Sequence, residues 1–282
     1  MAATRLTPTT VAKPWGRKDL APWAAAGPAC IGEMIYDAGS DAPLLVKALF
    51  TAERLSVQVH PGTVAAQASG LPHGKDEAWI ILAADPGAVI GLGLRRELSR
   101  EGLAAAAADG SIENLLDWKP ARVGDVFFAP AGTIHAIGAG LTLIEVQQNL
   151  DLTYRLYDYG RPRALHLSEG VAVADPAPWR QLHAPRPLGG GRLSLVEGPS
   201  FVVERVRASG HATLDPPHGR AAWLVMLAGT GTIDGAPCAP GQVWLADGRC
   251  RIEFDADAEI LLAYAGAGIA PAMWQEARRE AA

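Results

Sequence analysis

A chain of 282 residues, 49% hydrophobic and 20% charged with a formal net charge of −5, has the make-up of a globular protein holding one large domain or two of ordinary size. The acidic balance offers no basic footprint for DNA or RNA, and no segment approaches the ~18 uninterrupted apolar residues of a membrane helix. The opening MAATRLTPTTVAKPWG lacks the apolar run of a secretory signal, so a cytoplasmic protein with no nucleic-acid or membrane partner is expected. Cys30, Cys238 and Cys250 show no C-x-x-C spacing and read as reduced structural thiols.

In chain order, short apolar runs bounded by Gly, Pro and Asp predict strands over Leu44 to Phe50, Leu55 to His60, Ala78 to Ala83, Val89 to Leu92, Val126 to Ala129, Leu141 to Gln147 and Thr153 to Tyr157. Thr63 to Ser69 predicts a short helix, and Leu167-Ser168-Glu169-Gly170 begins another. Arg96 to Trp118 carries Leu98, Leu103, Ile112, Leu115 and Leu116 among alanines and charges, broken by Asp109-Gly110, which reads as a helical insertion. The stretch APWRQLHAPRPLGGG then has a linker's composition and puts a boundary near Leu188. Beyond it, Phe201 to Val206, Ala221 to Leu227, Gln242 to Leu245, Cys250 to Phe254 and Glu259 to Tyr264 again read as strands. Two β domains are expected, over residues 1–187 and 188–282.

The richest segment is GDVFFAPAGTIH, Gly124 to His135, which joins a strand, a tight turn and a histidine. Gly132 after Pro130 permits a turn that a side chain would resist, and it sends His135 back toward a β-barrel interior. Upstream, Gln58 and His60 share one face of a strand while Val57 and Val59 take the other, so two ligand-capable groups converge without special backbone. Glu77 follows on the next apolar run. A lone buried His or Gln is usually a hydrogen-bonded core group, but this combination points to a mononuclear metal site. APGQVWLADG echoes the segment, with Gly241 in the place of Gly124, but no histidine follows. His73, His166, His183, His211 and His218 have no partner at ligand spacing and read as ordinary surface or loop residues.

The Gly124 to His135 segment resembles the second cupin motif. Ser56-Val57-Gln58-Val59-His60-Pro61 with Lys75-Asp76-Glu77 resembles the class I mannose-6-phosphate isomerases. Lys13-Pro14-Trp15-Gly16 is similar too, as is Ile144-Glu145-Val146-Gln147-Gln148-Asn149 running on through Asp151 and Thr153-Tyr154-Arg155 to Tyr157-Asp158. The likeness covers Lys13 to Arg161 and is closest to the compact bacterial branch. Gln58-x-His60 with a delayed Glu77 departs from the H-x-H pattern of many cupins and favours the isomerase branch over cupin oxygenases. Asp76 stands where Pro or Thr is usual.

The resemblance implies a mainly β fold of two cupin-type barrels (jelly rolls) with a small helical insertion around residues 96–118, only the first barrel carrying metal. It implies Gln58, His60, Glu77 and His135 as ligands to one divalent ion, a donor set that suits Zn²⁺ and leaves Mn²⁺, Fe²⁺ and Co²⁺ open. The implied activity interconverts mannose 6-phosphate and fructose 6-phosphate, a small-molecule sugar-phosphate isomerisation through an enediol. Glu145, Asp151 and Lys75 are the implied proton-transfer candidates. Arg155, on an apolar and aromatic strand, needs an anionic partner: the substrate's phosphate, the enediolate, or Asp151 or Asp158 in a structural ion pair. Ser56 is a candidate phosphate ligand, and Trp15 either caps the barrel mouth near substrate or pins the N-terminus to the core. The competing readings are a metal-dependent cupin oxygenase and a sugar-phosphate-binding cupin without turnover.

Overall fold

A computed structural model describes residues 2–21, 23–181 and 184–276 of the chain. Every strand pairing in it is antiparallel, and three sheets result. A six-stranded sheet runs in the order Thr9–Arg17, Ile31–Tyr36, Leu44–Thr51, Leu141–Gln148, Glu77–Ala84 and Val126–Ala129. A five-stranded sheet runs Tyr154–Tyr157, Val57–Val59, His135–Ile137, Val89–Leu94 and Leu116–Pro120. The third sheet is built on the long strands Phe201–Leu214 and Cys250–Ala265.

Alternation along each strand sorts the side chains into layers. In Leu141–Gln148, Leu141 and Leu143 turn inward to meet Leu49, Trp79 and Ile81, with Ile90, Leu92 and Ile137 contributed by the five-stranded sheet. The intervening Ile144 and Val146 face the other way. With Val46, Ala48, Ala78 and Ile80 they pack against Val203, Trp223, Val225, Leu261 and Ala263 of the third sheet, a dry seam that holds the two halves together. The outer face of the five-stranded sheet, with Val57, Val59, Ala136 and Leu156, is covered by Leu103, Ala106, Ala107 and Ile112 from the helices. The third sheet folds around a core of its own that includes Leu224, Trp244, Ile252 and Leu262.

The short helices are found at Thr63–Ala68 and Leu167–Val173. The expected helical insertion is shorter than 96–118. It holds Arg100–Asp109, capped by Ser99 Oγ accepting from Gly102 N and ended by Gly110 at φ 80°, then Ile112–Leu115. Leu116–Pro120 is a strand instead, because its backbone is claimed by Val89–Leu94. Cys250 to Tyr264 is one continuous strand rather than two, as Phe201–Leu214 spans its whole length. Around the boundary expected near Leu188, Arg186–Gly189 forms a hairpin with Arg192–Glu197, while Leu182 and His183 lie outside the described residues. The N-terminal strand Ala3–Leu6 crosses to the other half and pairs with Val243–Ala246. All three cysteines are free, and burial pushes the Cys238 and Cys250 thiols up to about 11 and about 12, which keeps them protonated and inert.

Candidate metal centre

Two cross-strand rows face each other between the five- and six-stranded sheets. In the first, Arg155 pairs with Gln58, Gln58 with His135, and His135 with Leu92. Direct cross-strand partners share a face, and Leu92 lies in the interior cluster, so this row points inward. In the second row Ala129 pairs with Glu77 and Glu77 with Gln147.

His60, Glu77 and His135 come together as a buried group whose ligand atoms all lie within 4.8 Å of one another. Both imidazoles are oriented from behind. His60 Nδ1 donates to Leu152 O at 2.8 Å and His135 Nδ1 to Thr133 O at 2.9 Å, which leaves each Nε2 lone pair aimed at the carboxylate. His60 Nε2 lies 3.3 Å from Glu77 Oε1, and His135 Nε2 lies 3.5 Å from Glu77 Oε2. On a tetrahedral ion with bonds of ~2.0–2.1 Å, neighbouring ligand atoms stand ~3.3–3.4 Å apart. His60 Nε2 and Glu77 Oε2 are also buried without a hydrogen-bond partner, a costly state that a cation relieves. The group could therefore hold a metal ion.

Gln58 stands beside it. Its amide bridges His135 Nε2 at 3.2 Å and Ser56, whose Oγ donates to Oε1 at 3.3 Å. Turning the amide over would give its N–H to the serine hydroxyl and set its oxygen against the His135 Nε2 lone pair, an arrangement of two acceptors that a shared cation satisfies and a hydrogen bond does not. Ser56 thus touches Gln58 rather than standing free.

Burial works against charge on Glu77, yet neighbouring His60 and the Lys75 ammonium, 3.0 Å from Oε1, hold its carboxyl well below the usual range. Burial pushes His60 down to about 4 and His135 downward as well. We take the carboxylate as ionised and both imidazoles as neutral, because Lys75 supplies the cation and each Nδ1–H is spent on a carbonyl. This is the protonation state that metal ligation requires.

One row deeper, Glu145 is buried, accepts from Trp79 Nε1 at 3.0 Å and pairs with Lys47 at 3.2 Å. Lys47 escaped the sequence reading, since its partner is set only by the register of Leu44–Thr51 against Leu141–Gln148. Burial alone would lower its ammonium, but Glu145, Glu33 and Glu77 outweigh that and hold it above its ordinary value. Asp151 is exposed. Asp158 is taken by Arg161 and Arg163, so it is not the partner of Arg155, whose Nε is buried without a hydrogen bond. Trp15 is 2% exposed in the interior cluster with Leu49, Leu55 and Trp79, and its carbonyl accepts from Ala52 N at 2.8 Å. Gly16 beside it lies so near Ile31 that a Cβ would fall 2.4 Å from the Ile31 carbonyl carbon, so the segment is seated by packing.

The remaining histidines lie apart from this group. His73 Nδ1 is 2.9 Å from Gly74 O, His166 Nδ1 accepts from Arg155 N at 3.2 Å, and His211 and His218 are exposed. His183 lies outside the described residues.

No protein-family model matches the chain. A solved structure does: the mannose 6-phosphate isomerase of Bacillus subtilis superposes with a TM-score of 0.79 at 24% identity, over 93% of this chain and 99% of that one. The class defined by fold and site is thus a mainly β protein with the phosphomannose-isomerase fold and a buried His-Glu-His group able to hold a metal ion. In sequence the chain is similar to the mannose-6-phosphate isomerase of Streptococcus mutans serotype c, 38% identical over 207 residues, 68% of this chain and 62% of that protein. It is also similar to the mannose-6-phosphate isomerase ManA of Bacillus subtilis, 39% identical over 144 residues, 49% of this chain and 45% of that protein. The chain spans less than two thirds of the length of these curated relatives. The resemblance read from its motifs to the class I mannose-6-phosphate isomerases accordingly holds in both sequence and fold.

Proposed function

We propose that this chain is a metal-dependent aldose-ketose isomerase that interconverts mannose 6-phosphate and fructose 6-phosphate in the cytoplasm. Its architecture is two cupin-type barrels, and the metal belongs to the first. The observation that carries the reading is the meeting of two rows, Arg155-Gln58-His135 opposite Glu77, around orphaned ligand atoms of His60 and Glu77. Gln58, His60, Glu77 and His135 would hold the ion, and Zn²⁺ fits their donor types and spacing best. When bound, a divalent ion there supplies Lewis acidity toward the sugar's carbonyl and hydroxyl oxygens.

The protein's own groups do the rest. Aldose-ketose exchange moves a proton between C1 and C2, so an acid-base group must reach both carbons, and such groups contribute ~10²–10⁴-fold. Glu145, Asp151 and Lys75 are the candidates. Glu145 is supported by its fixed position one row below Glu77, where Trp79 and Lys47 aim it. Lys75, beside Glu77, is placed to pair with an oxyanion. Arg155 has no ion-pair partner among the described residues, and it meets the phosphate or the enediolate with its free Nε–H. Ser56 holds Gln58 at the edge of the substrate space, and Trp15 closes the core behind it.

One coupled assay tests the proposal. Purified protein should convert mannose 6-phosphate, lose turnover on exhaustive chelation and regain it with Zn²⁺ or a similar ion. Product formed in deuterated water should carry solvent label. Turnover that survives metal removal defeats the proposal, and oxygen uptake in its place would assign the site to an oxygenase.

A further inference from the structure

Buried polar atoms without partners are rare in folded proteins, and each calls for a complementary group. Four of those in the described residues surround the candidate metal centre: His60 Nε2, Glu77 Oε2, Arg155 Nε and Gln147 Oε1. A cation accounts for the first two and an anionic oxygen for the third. Gln147 Oε1 is an acceptor that neither a metal ligand set already supplied by four residues nor a phosphate satisfies.

Gln147 is 1% exposed and sits in the same cross-strand row as Glu77, two residues beyond Glu145 on the inward face. Its amide has one sensible orientation. Nε2 donates to Gln148 O at 3.0 Å and to Leu150 O at 3.4 Å, and a turned amide would set its oxygen against two carbonyls. Oε1 therefore faces away from the segment at residues 148–150. That segment is also anchored nearby, through Leu152 O, to His60 Nδ1. An amide clamped in this way presents a fixed acceptor, with little rotamer freedom left to lose when a donor arrives.

We propose that Gln147 Oε1 accepts a hydrogen bond from a sugar hydroxyl flanking the reacting carbons, and that it discriminates among sugar phosphates by that hydroxyl. The inference rests on the isomerase reading above. A sugar phosphate brings both missing complements at once, an anionic oxygen for Arg155 and a hydroxyl donor for Gln147. A site built to bond a hydroxyl rejects the analogue that lacks it, because the buried acceptor is then left unpaired.

The test is a binding cycle on the metal-loaded full chain, with mannose 6-phosphate and its 3-deoxy and 4-deoxy analogues as probes, for the native protein and for Gln147→Met. Methionine keeps the side chain's length, puts a weakly accepting thioether in place of the amide oxygen, and gives up the amide's N–H bonds to Gln148 O and Leu150 O. The native protein should bind one deoxy analogue about tenfold more weakly than the parent sugar, the size of one neutral hydrogen bond. In Gln147→Met the parent should fall to the level of that analogue, with metal content unchanged. Loss of metal in the variant would make Gln147 a ligand and overturn the proposal, as would a deoxy penalty that survives the substitution. Native protein that binds both deoxy analogues as well as the parent overturns it even where the variant fails to fold. Native protein that neither binds nor turns over mannose 6-phosphate removes the isomerase reading itself, and the role of Gln147 with it.

Discussion

Glu77 and Ala222 stand at the same place in two versions of one strand-turn-strand unit. Glu77 pairs with Ala129, five residues after Gly124, and Ala222 pairs with Ala246, five residues after Gly241. Gly124 N donates to Ile81 O and Gly241 N to Met226 O, each four residues beyond the compared position, and both glycines sit at left-handed φ, 88° and 85°. The second unit thus repeats the backbone of the first with a methyl group where the carboxylate should be.

Metal content follows from that comparison. Purified protein should bind one divalent ion per chain by elemental analysis. His135→Ala and Glu77→Ala should weaken binding by at least about a hundredfold, since even groups that only orient a ligand cost ~10–100-fold. Ala222→Glu should add no second ion, because no histidine follows Gly241 as His135 follows Gly124. Two ions per chain in the native protein would contradict the assignment.

Acid sensitivity is the next expectation. His60 titrates at about 4 in the folded chain against 6.5 unfolded, because burial opposes its charge. Between those values the unfolded chain binds more protons, so stability rises with pH across the window and is lost as pH falls from 6.5 toward 4. Glu77, held low by His60 and Lys75, adds loss of the same sign below the ordinary carboxylate range. For chelated protein the His60 contribution is on the order of 3 kcal/mol. Urea midpoints at pH 7 and pH 4.5 should show it, and His60→Gln should flatten the slope. A native slope that stays flat would place His60 in contact with solvent.

Arg155 separates binding from catalysis. Arg155→Ala should keep its metal and lose kcat or phosphate-ester affinity by about a hundredfold, as expected for a charge-assisted contact. Its Nε has no protein partner to lose, so the melting temperature should barely move. Normal kinetics with a lowered melting temperature would make it a structural residue.

The strands that stand out as short apolar runs between Gly, Pro and Asp were legible from sequence. Val126–Ala129 matches its expected limits, and the sequence had already singled out His60, Glu77 and His135, the three residues that meet as a buried group. Other features depend on partners distant in sequence. Thr9–Arg17 is exposed or half-buried up to Pro14, which suits the sheet edge it occupies, so no hydrophobic pattern marks it. Ala3–Leu6 becomes a strand only by pairing with Val243–Ala246. Nothing in the apolar run around Lys47 singles it out, and only the inter-strand register reveals that it faces Glu145. Trp15 carried a recognisable motif, but which end of the interior it served required the packing of Gly16 on Ile31.

Asp76 offers the last test, because it ties the metal strand to both of its supports. It is buried between Lys75 and Glu77. Oδ1 accepts from Ala131 N at 2.8 Å, in the turn that leads to His135, and Oδ2 accepts from Ser200 Oγ at 2.6 Å, across from the C-terminal half. With one oxygen on each group, the carboxylate couples the second half to the turn that carries His135. Asp76→Ala should leave Ala131 N–H and Ser200 O–H unpaired and cost about 2–3 kcal/mol by urea denaturation, while also weakening metal binding. Ser200→Ala removes one bond, leaves the turn held, and should cost about 1 kcal/mol with metal affinity nearly unchanged. If the two variants weaken metal binding equally, it is the contact with the C-terminal half that sets the ligand geometry; if neither does, Asp76 serves stability alone.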